Sequence, residues 1–190
     1  MPQLLVLIAS TRPVRAGFPI GQWFIQTAEE HGGFDVHTAD LKQMNLPLMD
    51  EPNHPRLGQY TQEHTRLWSA TVDAADAFVF VMPEYNYAVT APLKNALDFL
   101  SREWQYKPVG LVSYGGISGG LRAAQMVKQV VTTLKMMPVP EGVAIPFAMQ
   151  QIQDGIFHPT DMATESARLM LDELMRWEEA LRPLRRPAVP

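Results

Sequence analysis

With 190 residues, of which 46% are hydrophobic and 19% charged, the chain suits one domain with a sizeable core and is too apolar to be a disordered segment. Its formal net charge of -4 argues against a general nucleic-acid or anionic-membrane surface, which needs a basic stripe. Cysteine is absent, which removes disulfides, thiolate nucleophiles and cysteine-ligated metals, so any redox chemistry has to come from a cofactor.

The opening MPQLLVLIAS has no basic region before it and is too short to span a bilayer. Residues 4–9 read as a strand buried on both faces, and the protein as cytoplasmic, although an unusual export route is compatible with the same residues. Residues 19–30 place Ile20, Trp23, Phe24 and Thr27 on one side at helical spacing, and Gly32 and Gly33 end that helix. FDVHTADL alternates apolar and polar positions as an edge-like strand does. Residues 42–60 hold three prolines and no period, and a loop of that length is often functional.

A helix follows over 61–75 with Leu67, Trp68, Thr71 and Val72 inward, then a third strand over 76–82. Thr90 caps the next helix, with Pro92 in its first turn and Leu93, Ala96, Leu97 and Leu100 inward. Residues 107–114 form a fourth strand, and 121–134 a helix with Ala124, Val127, Val131 and Leu134 inward. The fifth strand is 142–145, next to prolines that suit an edge or an irregular approach. FAMQQIQDGIFHP is a loop or short hairpin, and the last helix, 161–181, counts Leu169, Leu171, Leu174 and Trp177 among its apolar positions. The domain therefore covers 1–182, and residues 183–190 form a tail expected to fray. Five strands separated by helices predict an α/β sandwich on a largely parallel sheet, whose ligands sit beyond the strand C-termini at the topological switch.

Three segments at that edge are unusual. IASTRPVRAG offers Ser10, Thr11, Arg12 and Arg15 ahead of a helix N-terminus, the parts that hold a phosphate monoester, although a solvated turn would look the same. PEYNY, 83–87, combines a stiff Pro83, a turn-tolerant Asn86 and the flat surfaces of Tyr85 and Tyr87, which serve either a planar ligand or packing. SYGGISGG, 113–120, permits close backbone approach, but its GGxxGG spacing is not the dinucleotide fingerprint. One loop thus suits an anion and two suit a planar polar ring.

Other polar residues compete poorly. The five histidines show no metal spacing, so no metal is expected. Asp50, Glu51 and Glu84 are explained by an acidic surface more simply than by a hydrolytic carboxylate pair. Ser113 is not in a G-x-S-x-G elbow, which leaves an esterase as a weak alternative. The eleven methionines suit gap-filling in the core or at an interface.

In STRPVRAG, MPEYNYAVTAPLKNALDFL and SYGGISGG, and over most of residues 3–180, the chain resembles the NAD(P)H-dependent FMN reductase family, relatives of quinone, azo-dye and chromate reductases. The resemblance implies a flavodoxin-like three-layer sandwich with a five-stranded parallel sheet, FMN as cofactor, and NADPH or NADH as electron donor. By position, Ser10, Arg12 and Arg15 match the phosphate turn. Pro83, Glu84, Tyr85, Asn86 and Tyr87 match the loop around the isoalloxazine, and Ser113, Tyr114, Gly115 and Gly116 the loop opposite, with Ser118 and Gly119 supporting it. Many family members carry a serine near the start of the first helix, where this chain has GFPIG, so one hydroxyl contact to the phosphate is absent or replaced by main chain.

The implied chemistry is hydride transfer from nicotinamide C4 to flavin N5, then electron transfer to a quinone, flavin or other small acceptor, with no catalytic base or nucleophile from the protein. An FMN-binding electron carrier without efficient NAD(P)H turnover is the alternative, and an α/β interaction protein that has lost the cofactor is a third reading. Arg15, Arg56 and Arg122 are the candidates to meet a ribose phosphate. Similar reductases form homodimers with flavin sites at the interface, sometimes paired into tetramers. In this chain loop 45–60 and helix 90–100 are candidates for pocket closure and subunit contact, with Phe99, Trp104, Tyr106 and NLPLM either exposed contacts or core.

Overall fold

The computed structural model describes residues 1–185. Five parallel strands, β1 (Gln3–Ile8), β2 (Asp35–Asp40), β3 (Ala77–Pro83), β4 (Pro108–Tyr114) and β5 (Met137–Ile145), form one sheet in the order β2-β1-β3-β4-β5. The three central strands are continuous apolar runs because both of their faces are covered. Helices α1 (Gly17–His31) and α6 (Asp161–Leu181) cover one face, through Ile20, Phe24, Met170, Leu171 and Leu174. The other face is covered by α3 (Glu63–Ala74), α4 (Ala91–Asp98) and α5 (Leu121–Thr133), through Trp68, Val72, Leu93, Leu97 and Val127. This is the expected three-layer, flavodoxin-like sandwich.

Strand β5 starts at Met137, ahead of the expected 142–145, because Met137 and Pro138 pair with Pro108 and Val109 before the register shifts. Prolines are accommodated there because β5 is an edge. The 147–158 segment resolves into a short antiparallel pair, β6 (Ile152–Gln153) with β7 (Ile156–Phe157). Two inward assignments are corrected on α3: Leu67 is 64% exposed and Thr71 also faces out, while Thr65, Trp68 and Val72 are buried. The rotation is set by Trp68, whose Nε1 donates to the Ala96 carbonyl of α4 at 2.9 Å. Leu169 of α6 is likewise exposed, with Met170 and Leu171 inward. Phe99 and Trp104 are core, Trp104 lying against Trp68, Phe78 and Phe80. Thr90 occupies the N-cap of α4, but its side chain makes no capping bond.

The long loop after the short helix α2 (Leu41–Met44) is pinned at both ends. Asn95 of α4 donates from Nδ2 to the Pro47 carbonyl at 2.7 Å and accepts from the Met49 amide at 3.0 Å. Glu51 accepts from the amides of Thr61 and Gln62 at 2.8 and 2.9 Å, which ties the loop to the start of α3. Burial opposes ionisation of Glu51, but these bonds prevail and hold its carboxyl at about 2. The anchor is therefore complete above the ordinary glutamate range and is lost only as pH falls toward 2.

The tail also departs from expectation at its start. Residues Arg182–Leu184 form a 3-10 turn, and Arg185 bridges Asp76 and the buried Glu178. Residues 183–185 are thus tied to the beginning of β3, while 186–190 lie outside the described residues. Among the described residues no helix is long and apolar enough to cross a membrane, and no group of three His, Asp or Glu residues is placed to hold a metal ion.

Candidate cofactor site

The chain leaves β1 toward the α1 face but leaves β3 and β4 toward the opposite face, which opens a crevice at the C-terminal ends of β1 and β3. All three unusual segments rim this crevice. In the first, Ser10 is buried and its Oγ has no hydrogen-bond partner. Such an orphaned hydroxyl is costly unless a ligand satisfies it. Helix α1 begins alongside with Ala16 at its N-cap, no side-chain cap and no acidic residue in the first turn, so its first amides await an acceptor. Arg12 is exposed and forms no ion pair among the described residues. An uncapped helix start, a buried orphan hydroxyl and an unpaired guanidinium together fit a phosphate monoester.

Arg15 has a different place. Its guanidinium donates to both carboxylate oxygens of Asp40 at 2.6 and 2.5 Å and to the Ser10 carbonyl at 2.6 Å, with its side chain 8% exposed. These bonds make an internal clamp that ties the turn to the end of β2. Burial pushes the Asp40 carboxyl up, but the Arg15 guanidinium and the amides of Lys42 and Gln43 outweigh it and hold it below the usual range.

In the second segment Tyr85 and Ala88 exchange backbone bonds of 3.2 and 2.9 Å around Asn86 and Tyr87, whose φ angles are 51° and 68°. Both central residues are left-handed, as in a type I′ turn, which is strained for an aromatic residue. The turn is braced from below. Glu84 Oε1 accepts from Arg122 Nη1 at 2.8 Å and Oε2 from the Arg122 amide at 3.0 Å, while the Arg122 guanidinium lies 4.1 Å from the Tyr87 ring centroid. Glu84 and Arg122, expected at the flavin and at a ribose phosphate, are thus committed to holding this loop against α5. Pro83 is buried at the end of β3, opposite Tyr114. Tyr85 and Tyr87 face solvent, Tyr87 at 69% exposure.

The third segment is shaped by internal bonds. Ser113 is buried and its Oγ donates to the Gly119 carbonyl at 2.9 Å, so it supports the loop and does not face the crevice. Ser118 Oγ accepts from the Gly120 amide at 3.3 Å. Gly115 is held from both sides, its amide on the Ile145 carbonyl and its carbonyl on the Ala148 amide. Among the described residues the amides of Asn86, Tyr87, Gly116 and Ile117 find no backbone acceptor, which leaves two loops with free donors for the edge of a polar ring.

The structure therefore brings Ser10, Arg12, Tyr85, Asn86, Tyr87, Gly115 and Gly116 to one rim, and turns Arg15, Glu84, Ser113 and Ser118 into its scaffolding. Asp40 was not anticipated, because nothing in the spacing of a lone acid at a strand end marks it as a partner of Arg15. A pocket of about 770 Å³ opens beside the first loop, between Pro13, Phe18, Lys42, Met149 and Ile152.

Glu84→Gln keeps the shape of the brace and removes its charge. We expect flavin affinity to fall about fivefold, the equivalent of roughly 1 kcal/mol for a weakened charged hydrogen bond. Titration of flavin fluorescence against protein checks this, and faster amide exchange over 84–88 accompanies it.

A parallel sheet in the order 2-1-3-4-5 between two helical layers defines an α/β protein of the flavodoxin-like class. A family model described as NADPH-dependent FMN reductase matches residues 2–150. The chain belongs to that family, and so is an FMN-binding oxidoreductase that draws electrons from NAD(P)H.

Among similar proteins, an NAD(P)H-dependent FMN reductase of Schizosaccharomyces pombe is 41% identical over 160 residues, 83% of this chain and 80% of the relative. An FMN-dependent NADPH-azoreductase of Staphylococcus saprophyticus is 27% identical over 180 residues, 90% of this chain and 92% of the relative. In fold, the flavoenzyme NAD(P)H:(acceptor) oxidoreductase of Paracoccus denitrificans superposes with a TM-score of 0.75 at 18% identity, covering 95% of this chain and 98% of its own.

Proposed function

We propose that the protein is an NAD(P)H-dependent FMN oxidoreductase that reduces a quinone, a free flavin or another small planar acceptor. The observation that carries this reading is the crevice itself: a phosphate cradle with a buried orphan hydroxyl, continuous with two loops of free amides. FMN held there supplies hydride acceptance from the nicotinamide and onward electron transfer. The chain supplies binding and access. Ser10, Arg12 and the α1 N-terminus hold the phosphate, and the amides of Gly116 and Ile117 stabilise negative charge on the reduced ring. Tyr85 and Tyr87 leave the outer side open for a flat donor and then a flat acceptor. The azoreductase and quinone oxidoreductase relatives support a small aromatic acceptor.

We further propose a homodimer. Leu48, Leu57 and Leu67 are 81%, 61% and 64% exposed around the long loop and α3, an apolar surface of the kind an interface covers.

The test is an anaerobic titration of the purified protein, reconstituted with FMN, with NADPH and then NADH while the visible spectrum is recorded. Rapid bleaching of bound flavin by either donor is the expected result. Bound flavin that stays oxidised overturns the reductase reading in favour of an electron carrier.

Arg12→Ala removes the one cationic side chain of the cradle that is not already paired. It is expected to raise the FMN dissociation constant about 10- to 100-fold, since a hydrogen bond to a charged group contributes about 1.5–3 kcal/mol. Unchanged affinity in the folded variant would remove Arg12 from the site.

A further inference from the structure

We propose that Tyr114 is a phosphate-binding residue of this chain, its hydroxyl taking the place of the hydroxyl that a helix-start serine would supply and thereby favouring FMN over unphosphorylated flavin. This rests on the FMN-binding reading. Tyr114 ends β4, and its ring, alternating with Ser113, belongs to the apolar cluster under α1 and α6. It therefore passes beneath the first turn of α1. A Cβ built on Gly17 would overlap both Ser10 Oγ and the Tyr114 hydroxyl, so the two hydroxyls stand side by side against the glycine at the helix start. Ser10 Oγ is buried there without a hydrogen-bond partner. The Tyr114 hydroxyl lies within reach of Ser10 Oγ and of no other protein acceptor among the described residues, so the pair can turn together toward an anion.

Two hydroxyls and uncapped helix amides around one point make a floor for an anion. Gly17 is what permits this arrangement. A serine at the same position would bring its own hydroxyl but would expel that of Tyr114. The charge around the group agrees. Burial raises the pKa of Tyr114 above its ordinary value and outweighs the lowering effects of the neighbouring Ser10 hydroxyl and of Arg15 and Arg12, so the hydroxyl stays a donor at neutral pH beside two cations.

Tyr114 also links the three segments. Its carbonyl accepts the Glu84 amide at 3.1 Å, its hydroxyl reaches the first loop, and the third loop begins at the next residue. Seating of the phosphate is thereby coupled to the position of the loops that hold the ring.

The experiment measures dissociation constants of FMN and of riboflavin, by flavin fluorescence, for the wild type and for Tyr114→Phe, which removes one oxygen and keeps the ring. The expected result is an FMN constant raised about tenfold with riboflavin unchanged, as for loss of one hydrogen bond to a charged group. Riboflavin binding doubles as the check that the pocket is intact. Equal weakening of both ligands shows a structural role and overturns the proposal, as does FMN binding that does not change. A wild type that binds FMN no better than riboflavin overturns the phosphate cradle as a whole, and one that binds neither flavin overturns the reading on which the proposal rests.

Discussion

Gly120→Ala is expected to be the most damaging single-methyl change in the site, lowering stability by about 3–5 kcal/mol and the melting temperature by roughly 10 °C. Gly120 precedes α5 at φ 83°, a left-handed conformation that disfavours any side chain. A methyl added there would lie 2.7 Å from the Tyr114 amide nitrogen, 2.9 Å from the Tyr114 carbonyl oxygen and 2.9 Å from Ser113 Cβ. Two of those neighbours are backbone at the buried end of β4, so relief requires moving the strand or unwinding the helix start. Either route pulls on the Ser113–Gly119 bond and on the loop amides, so FMN affinity falls with stability. Gly116→Ala, in the same loop, adds a methyl that meets nothing within 4 Å and serves as the control. Thermal melts of the two variants check this, and similar melting temperatures would show that the β4 end yields more easily than its burial suggests.

Asp40→Asn is expected to cost about 3 kcal/mol, because it keeps the shape of the clamp but leaves the Arg15 guanidinium mostly buried without a counter-charge. The turn that carries Ser10 and Arg12 is then held less firmly to the end of β2, and FMN binding weakens as well. The pH dependence has a definite sign. The folded pKa of Asp40 lies below its ordinary value of 3.8, so the contribution is present above that value and is lost as pH falls through the lower, folded one. Acid titration of stability should therefore show a deficit of the variant at neutral pH that narrows below about pH 4. A constant difference down to pH 2 would mean that the carboxylate charge is not what Arg15 needs.

Both variants act through contacts made far apart in the chain, and that separates what the sequence revealed from what it concealed. The apolar runs of β1, β3 and β4 were legible because burial on both faces leaves polar residues only at their ends, Gln3 and Ser113 among them. The three rim segments were legible because each carries an unusual local composition directly after such a run. Parallel strand order then placed them together, since consecutive strand–helix units of one hand allow few arrangements. The direction faced by Leu67 was not legible, because an apolar residue beside Trp68 fits the helical period almost as well as one on the buried side.

By itself, then, the amino-acid sequence determined the layers of this protein and the sheet edge at which its unusual segments gather, both properties of local pattern and chain order, while the flavin came from the family resemblance of those segments. Only the tertiary structure decided which polar residue does what there. Arg12 and Arg15 sit three positions apart in the same turn, yet Arg15 is taken by Asp40, 25 positions away, and Arg12 stays free. Glu84 is taken by Arg122, 38 positions away, and the Tyr114 hydroxyl arrives beside Ser10 from a strand on the far side of β3. A charged or hydroxyl group is available to a ligand only if no protein partner satisfies it first, and those partners are brought into reach by folding.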